Sequence, residues 1–86
     1  MIYVCIPSRN EATTLGPLLW KVQKVFRAFG REFRLVVLDD GSDDDTGEVL
    51  GRYEGKLPLD VLRNPTPLGY GASVDRLLRH VGEVAA

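Results

Sequence analysis

Cys5 is the only cysteine in these 86 residues, so no internal disulfide can form and a reducing compartment fits the chain. It lies inside an apolar run and reads as a small buried hydrophobe rather than a nucleophile. No apolar stretch is long enough to cross a bilayer, and no signal-peptide pattern precedes the first apolar run. A cytoplasmic protein is therefore expected, meeting a membrane, at its cytoplasmic face, only through segments outside these residues. The net charge of -1 gives no electrostatic hold on a phosphate backbone, so nucleic acid is not an expected partner. Histidine and tryptophan occur once each. His80 has no visible partner and reads as a surface residue. Trp20 falls off the nearest apolar stripe and is expected to meet another chain or a missing segment. Internal repeats and low-complexity segments are absent as well.

What is present is an alternation of short apolar runs and amphipathic stretches. Ile2 to Ile6 is β-branched and apolar, reads as a strand buried on both faces, and is ended by Pro7. Thr13 or Thr14 offers an N-cap, and Pro17 suits a first helical turn. Leu15, Leu18, Leu19, Val22, Phe26 and Phe29 then recur at helical spacing, and Gly30 supplies the stop. Phe33 to Leu38 is a second buried strand, followed by a polar loop from Asp39 to Asp45. Ser42 or Asp43 can cap a short helix with Thr46, Val49, Leu50 and Tyr53 on its inner face. Leu59 to Leu62 is a weaker strand, Asn64 to Gly71 a loop with two prolines and two glycines, and Val74, Leu77, Leu78 and Val81 mark a third helix.

The order β-α-β-α-β-α implies an α/β fold with a parallel sheet and right-handed crossovers. All strand-to-helix loops of such a sheet lie along one edge, where ligands bind. Pro7–Glu11, Asp39–Asp45 and Asn64–Gly71 are thus the functional candidates. The first has no glycine and is neither a dinucleotide fingerprint nor a P-loop. A nucleotide held there must be recognised through side chains.

Charge is unevenly spread. Residues 1–34 carry six Lys/Arg and two Asp/Glu, whereas residues 35–60 carry two and eight. Five aspartates within the second loop would repel a diphosphate unless a cation or basic side chains, Arg9 or Arg63, bridged the charge. A carboxylate only accepts hydrogen bonds, which suits Asp39 and Asp40 to a uracil or guanine ring N–H or a ribose hydroxyl. The spacing equally allows these acids and Ser42 merely to satisfy a turn. Gly69-Tyr70-Gly71-Ala72 opens the third helix with small residues, where free N–H groups favour an anion. Neither Asp39 nor Asp40 is followed two residues on by an acid, as dehalogenase-like phosphoryl transfer requires. A receiver-type acid pair after the first strand is lacking too.

Ile6-Pro7-Ser8-Arg9-Asn10-Glu11 and Val36-Val37-Leu38-Asp39-Asp40-Gly41-Ser42-Asp43-Asp44-Asp45-Thr46 together resemble the family 2 glycosyltransferases of the GT-A fold. Leu68-Gly69-Tyr70-Gly71-Ala72-Ser73 is similar to the third loop of members acting on polyprenyl phosphates, such as dolichol-phosphate mannose synthases. The resemblance covers the whole chain and implies a Rossmann-like, nucleotide-binding half of a GT-A domain. It further implies that Pro7, Arg9 and Glu11 frame the base and ribose pocket. Arg9 departs from the aromatic that many relatives carry there, and a guanidinium could stack in its place. Asp40 would hydrogen-bond the base, Asp39 would support the loop from behind, and Asp44 and Thr46 would shape the turn into the second helix.

The donor so implied is a UDP- or GDP-sugar, and the acceptor a lipid phosphate or saccharide. In such families a divalent metal, Mg²⁺ or Mn²⁺, is held by an Asp-x-Asp motif on a later strand, and the catalytic base comes later still. Neither position falls within residues 1–86, so no residue here is expected to be catalytic or to ligate metal. The half-domain is expected to associate with the missing half or a second chain. The competing expectation is a non-catalytic binding or structural subunit derived from the same fold.

Overall fold

A computed structural model of the chain describes residues 1–85. The elements are β1 (Ile2–Ser8), α1 (Ala12–Ala28), β2 (Phe33–Asp40), α2 (Thr46–Tyr53), β3 (Leu59–Asn64) and α3 (Tyr70–Ala85). The three strands form one sheet in the order β1-β2-β3, and both pairings are parallel. This is the expected β-α-β-α-β-α order with a parallel sheet. No described helix is long and apolar enough to cross a membrane.

Side chains alternate between the two faces of a strand, and β2 divides its residues accordingly. Leu35 and Val37 join Leu15, Leu19, Leu50, Leu57 and Leu59 in a core beneath α1 and α2. Val36 and Leu38 join Leu77 of α3 on the other face, flanked by Tyr3, Cys5, Leu62 and Val81. Six successive residues of β2, Leu35 to Asp40, are buried, because β2 alone is flanked on both sides. Among the described residues β1 and β3 are edge strands, so β1, although it packs Val4 and Ile6 on one core and Tyr3 and Cys5 on the other, is only partly buried.

Several boundaries differ from expectation. Pro7 does not end β1; it pairs with Leu38, and the strand runs to Ser8. An edge strand tolerates the missing N–H. Asp39 and Asp40 are strand residues, not loop, because Arg63 and Asn64 of an equally extended β3 pair with them. Helix α1 starts before either threonine, with Glu11 at the N-cap position and its carbonyl accepting from Thr14 and Leu15 N–H. Its buried stripe centres on Leu15 and Leu19, while Leu18 is exposed and Phe29 lies past the helix end. Leu78 of α3 is exposed for a similar reason, since the face toward the sheet runs through Ser73 and Leu77. Trp20 stands edge-on to Tyr53 of α2 with ring centroids 6.2 Å apart and stays 43% exposed. His80 is half-buried rather than a surface residue: its Nε2 lies 3.5 Å from Asp60 Oδ2, beside the Arg34–Asp60 pair, without a hydrogen bond.

Candidate functional site

α1 and α2 cover one face of the sheet and α3 the other. The path therefore changes face after β3, and open α/β sheets bind ligands beyond the strand carboxyl ends where that change occurs. A cleft of about 210 Å³ lies there, lined by Pro7, Ser8, Arg9, Asp40, Gly69, Tyr70 and Ser73. It is smaller than the roughly 300–1,000 Å³ of a drug-sized site and suits one part of a nucleotide.

The two adjacent acids do different work because alternation sends them to opposite faces. Asp39 continues the Leu35–Val37 face and accepts the Ser42 N–H on Oδ1 at 3.2 Å, bracing the second loop. Asp40 continues the Val36–Leu38 face, toward α3, and lines the cleft. Its Oδ1 accepts Asn64 Nδ2 at 2.9 Å and the Leu68 N–H at 2.8 Å, and its Oδ2 accepts the Gly69 N–H at 3.0 Å. The Asn64 amide, then the Leu68 N–H, hold the Asp40 carboxyl below the usual aspartate value against a smaller opposing effect of burial, with further help from Gly69 and the Arg9 charge. Although only 6% exposed, Asp40 is thus kept ionised.

Glycine at 41 is required by its backbone. Gly41 has φ +63°, and a Cβ there would stand 2.6 Å from the Thr66 carbonyl carbon. The second and third loops touch at this point. On the other side, the second loop is fastened to the first. Asn10, in the left-handed region at φ 53°, donates its N–H to Ser42 Oγ and accepts the Asp43 N–H on Oδ1, both at 3.0 Å. Glu11 N–H reaches Thr46 Oγ1 at 3.0 Å, and Ala12 N–H reaches Asp44 Oδ2 at 3.4 Å. Asp44 Oδ1 accepts the Thr46 N–H at 2.9 Å, so the start of α2 is held by Asp44 and not by Ser42 or Asp43. The Thr46 side chain comes first among the groups that lower the Asp44 carboxyl.

Of the residues singled out from sequence, the structure brings Pro7, Arg9, Asp40 and Gly69 together around the cleft. Glu11, Asp39 and Gly71 are not among its lining residues. Glu11 contributes backbone groups to the loop fastening and the α1 start, and a Cβ at Gly71 would meet open space. Arg63 is turned to the α2 side, 3.3 Å from the Gly47 carbonyl and 3.6 Å from Glu54, which leaves Arg9 as the cation at the cleft. The Gly69 N–H, expected to greet an anion, is already spent on Asp40, as is that of Leu68. Four further contributors, Ser8, Tyr70, Ser73 and Asn64, lie in the segments singled out from sequence but were given no role of their own there. Strand alternation carried through the acids and into Asn64 would have found the last. The hydroxyl oxygens of Ser8 and Ser73 are buried without a hydrogen-bond partner. Among the described residues, no three His, Cys, Asp or Glu side chains are grouped to hold a metal ion.

Comparison with known proteins agrees with this architecture. The family model described as "Glycosyl transferase family 2" matches residues 3–83. Undecaprenyl-phosphate 4-deoxy-4-formamido-L-arabinose transferase of Pseudomonas paraeruginosa is 40% identical over 50 residues, 58% of this chain and 15% of the relative. Dolichol-phosphate mannosyltransferase of Pyrococcus furiosus is 31% identical over 75 residues, 87% of this chain and 21% of the relative. Among solved structures, S. aureus TarS 1-349 superposes with a TM-score of 0.69 at 28% identity, over 92% of this chain and 24% of that one. Mannosyltransferase PcManGT from Pyrobaculum calidifontis, solved with GDP-Man and Mn²⁺, gives 0.65 at 24% identity, with the same coverage of 92% and 24%. That last likeness speaks for the fold alone. The chain spans 15% to 21% of the length of these curated relatives.

Proposed function

Since this chain belongs to glycosyl transferase family 2, we propose that residues 1–86 form the nucleotide-gripping half of a sugar-transferase domain. The cleft between the first and third loops holds the base and ribose of a UDP- or GDP-sugar. Asp40 faces the base, Pro7 and Gly69 form the walls, and the Arg9 guanidinium covers the base or meets the diphosphate. Asp39 and Glu11 act from behind by holding the second loop in place. The acceptor is a lipid phosphate, in keeping with the polyprenyl-phosphate and dolichol-phosphate transferases it resembles. Stabilising the departing diphosphate needs a divalent cation, whereas a lipid phosphate is already an anion and attacks without being deprotonated. The cation falls to residues outside this segment.

The observation that carries this reading is Asp40, an ionised carboxylate at the wall of a cleft, with one acceptor position still open. Titration of UDP and GDP against wild type and Asp40→Ala tests it. Saturable binding that weakens at least about tenfold in the variant is expected, a loss on the scale of a charged hydrogen bond. Equal affinities would reduce Asp40 to a turn residue. Turnover of UDP- and GDP-sugars with Mn²⁺ or Mg²⁺ tests the division of labour. No transfer by the 86-residue chain is expected, and metal-dependent release of UDP or GDP that is lost in Asp40→Ala would contradict it.

A further inference from the structure

The contacts of Asp40 restrict which base the cleft can take. A carboxylate has two oxygens and room for about four hydrogen bonds. Two of these, from Asn64 and Leu68, fill Oδ1, and Gly69 takes one place on Oδ2. Asn64 cannot turn away to release Oδ1, because Arg76 donates to its Oδ1 at 2.6 Å and so fixes the amide nitrogen toward Asp40. An ionised carboxyl donates nothing. Asp40 therefore offers a ligand a single acceptor position, on Oδ2.

Ser73 adds a second feature on the same face. It sits in the first turns of α3, is 1% exposed, lines the cleft, and has no partner for its hydroxyl. A buried hydroxyl left unpaired is unfavourable, so a carbonyl oxygen brought to it by a ligand is favoured.

We propose that the cleft selects a pyrimidine dione, uracil or thymine, over guanine. This rests on the reading that the cleft holds the base. Asp40 Oδ2 takes the single ring N–H, and Ser73 donates to a ring carbonyl beside it. Guanine presents two adjacent donors, a ring N–H and an exocyclic amine, which a carboxylate matches only with both oxygens in a fork. Here one prong is spent, so the second guanine donor is desolvated without a partner. Cytosine and adenine place a ring acceptor where the N–H should stand, against a fixed negative charge.

Dissociation constants for UDP, dTDP, GDP and CDP, measured by NMR titration of the 86-residue chain, provide the test. UDP and dTDP are expected to bind alike, and GDP and CDP at least about tenfold more weakly, since a site that hydrogen-bonds its ligand rejects one with mismatched groups. GDP binding as tightly as UDP would overturn the base selection and leave nucleotide binding in place. Failure of all four to bind would overturn it together with the proposed function. In Asp40→Asn, one side of the carboxylate becomes a donor, and the UDP-to-CDP affinity ratio is expected to fall about tenfold. An unchanged ratio would overturn the contact between Asp40 and the base. Ser73→Ala is expected to weaken UDP and dTDP in parallel, and unaltered constants would remove Ser73 from the site.

Discussion

Two junctions meet at the second loop, and the same kinds of residue build both. Toward the first loop, Asn10, Ser42, Asp44 and Thr46 exchange hydrogen bonds with backbone N–H groups across more than thirty residues of sequence. Toward the third loop, Asp40 binds Asn64, Leu68 and Gly69, yet keeps one acceptor position, and Ser73 beside it has no partner. The first junction is satisfied by the chain itself. The second is left incomplete. A folded chain rarely leaves buried polar groups unpaired, so the incomplete junction is where a ligand belongs, and the complete one is the scaffold that keeps the second loop still.

The contrast can be broken by substitution, and the largest effect is expected at Gly41, which lies between the residues of the two junctions. Gly41→Ala meets both a left-handed backbone and the Thr66–Pro67 backbone. It should cost more than about 2 kcal/mol in urea unfolding and should weaken nucleotide binding as well, because it pushes the third loop off the second. Thr46→Val removes a fully buried hydroxyl that accepts the Glu11 N–H. A stability loss of about 1–3 kcal/mol is expected, with the ranking of nucleotides unchanged. Asn10→Ala loses the Asp43 contact and places alanine at φ 53°, for about 1–2 kcal/mol, again without altering base preference.

Acid should loosen both junctions. Asp40 and Asp44 are each held below the ordinary aspartate value by hydrogen bonds, from Asn64 first and from Thr46 first. A carboxyl depressed on folding contributes its full stability above the unfolded value of about 3.9 and loses it as pH falls through the lower folded value. Urea midpoints should therefore drop below about pH 4, and less steeply in Asp44→Asn. A midpoint insensitive to acid would contradict the role given to both aspartates. The smallest stability effect is expected for Ser73→Ala, within about 0.5 kcal/mol or slightly stabilising, because it deletes a polar group that the chain leaves unpaired. A loss as large as that of Thr46→Val would erase the distinction between the junctions.

The fold was legible because each element carries its own signal. The apolar run through Val36, Val37 and Leu38, the recurrence of Leu15 and Leu19, and Gly30 in a left-handed conformation at φ +66° all point one way. The element ends were not, because tertiary pairing decides them. Asp39 and Asp40 look like loop until Arg63 and Asn64 are seen to extend β3 beside them. The site was half legible. The loops could be brought to one edge from strand order, but the caps come from residues one or more places away from the expected ones. Ser73 reads in sequence as an ordinary helix residue. Only the face on which α3 packs brings it to the cleft that Asp40 also lines.

The central claim is that a nucleotide completes the Asp40 junction and leaves the Asn10 junction as it is. Chemical-shift mapping on the nitrogen-15-labelled chain during titration with UDP tests it most directly. The amides of Leu68 and Gly69, which already donate to Asp40, should show the largest shifts. Those of Ala12 and Asp43, which donate across the first junction, should move little. Large shifts at Ala12 and Asp43 with Leu68 and Gly69 unmoved would place the ligand on the wrong side of the second loop and contradict the account.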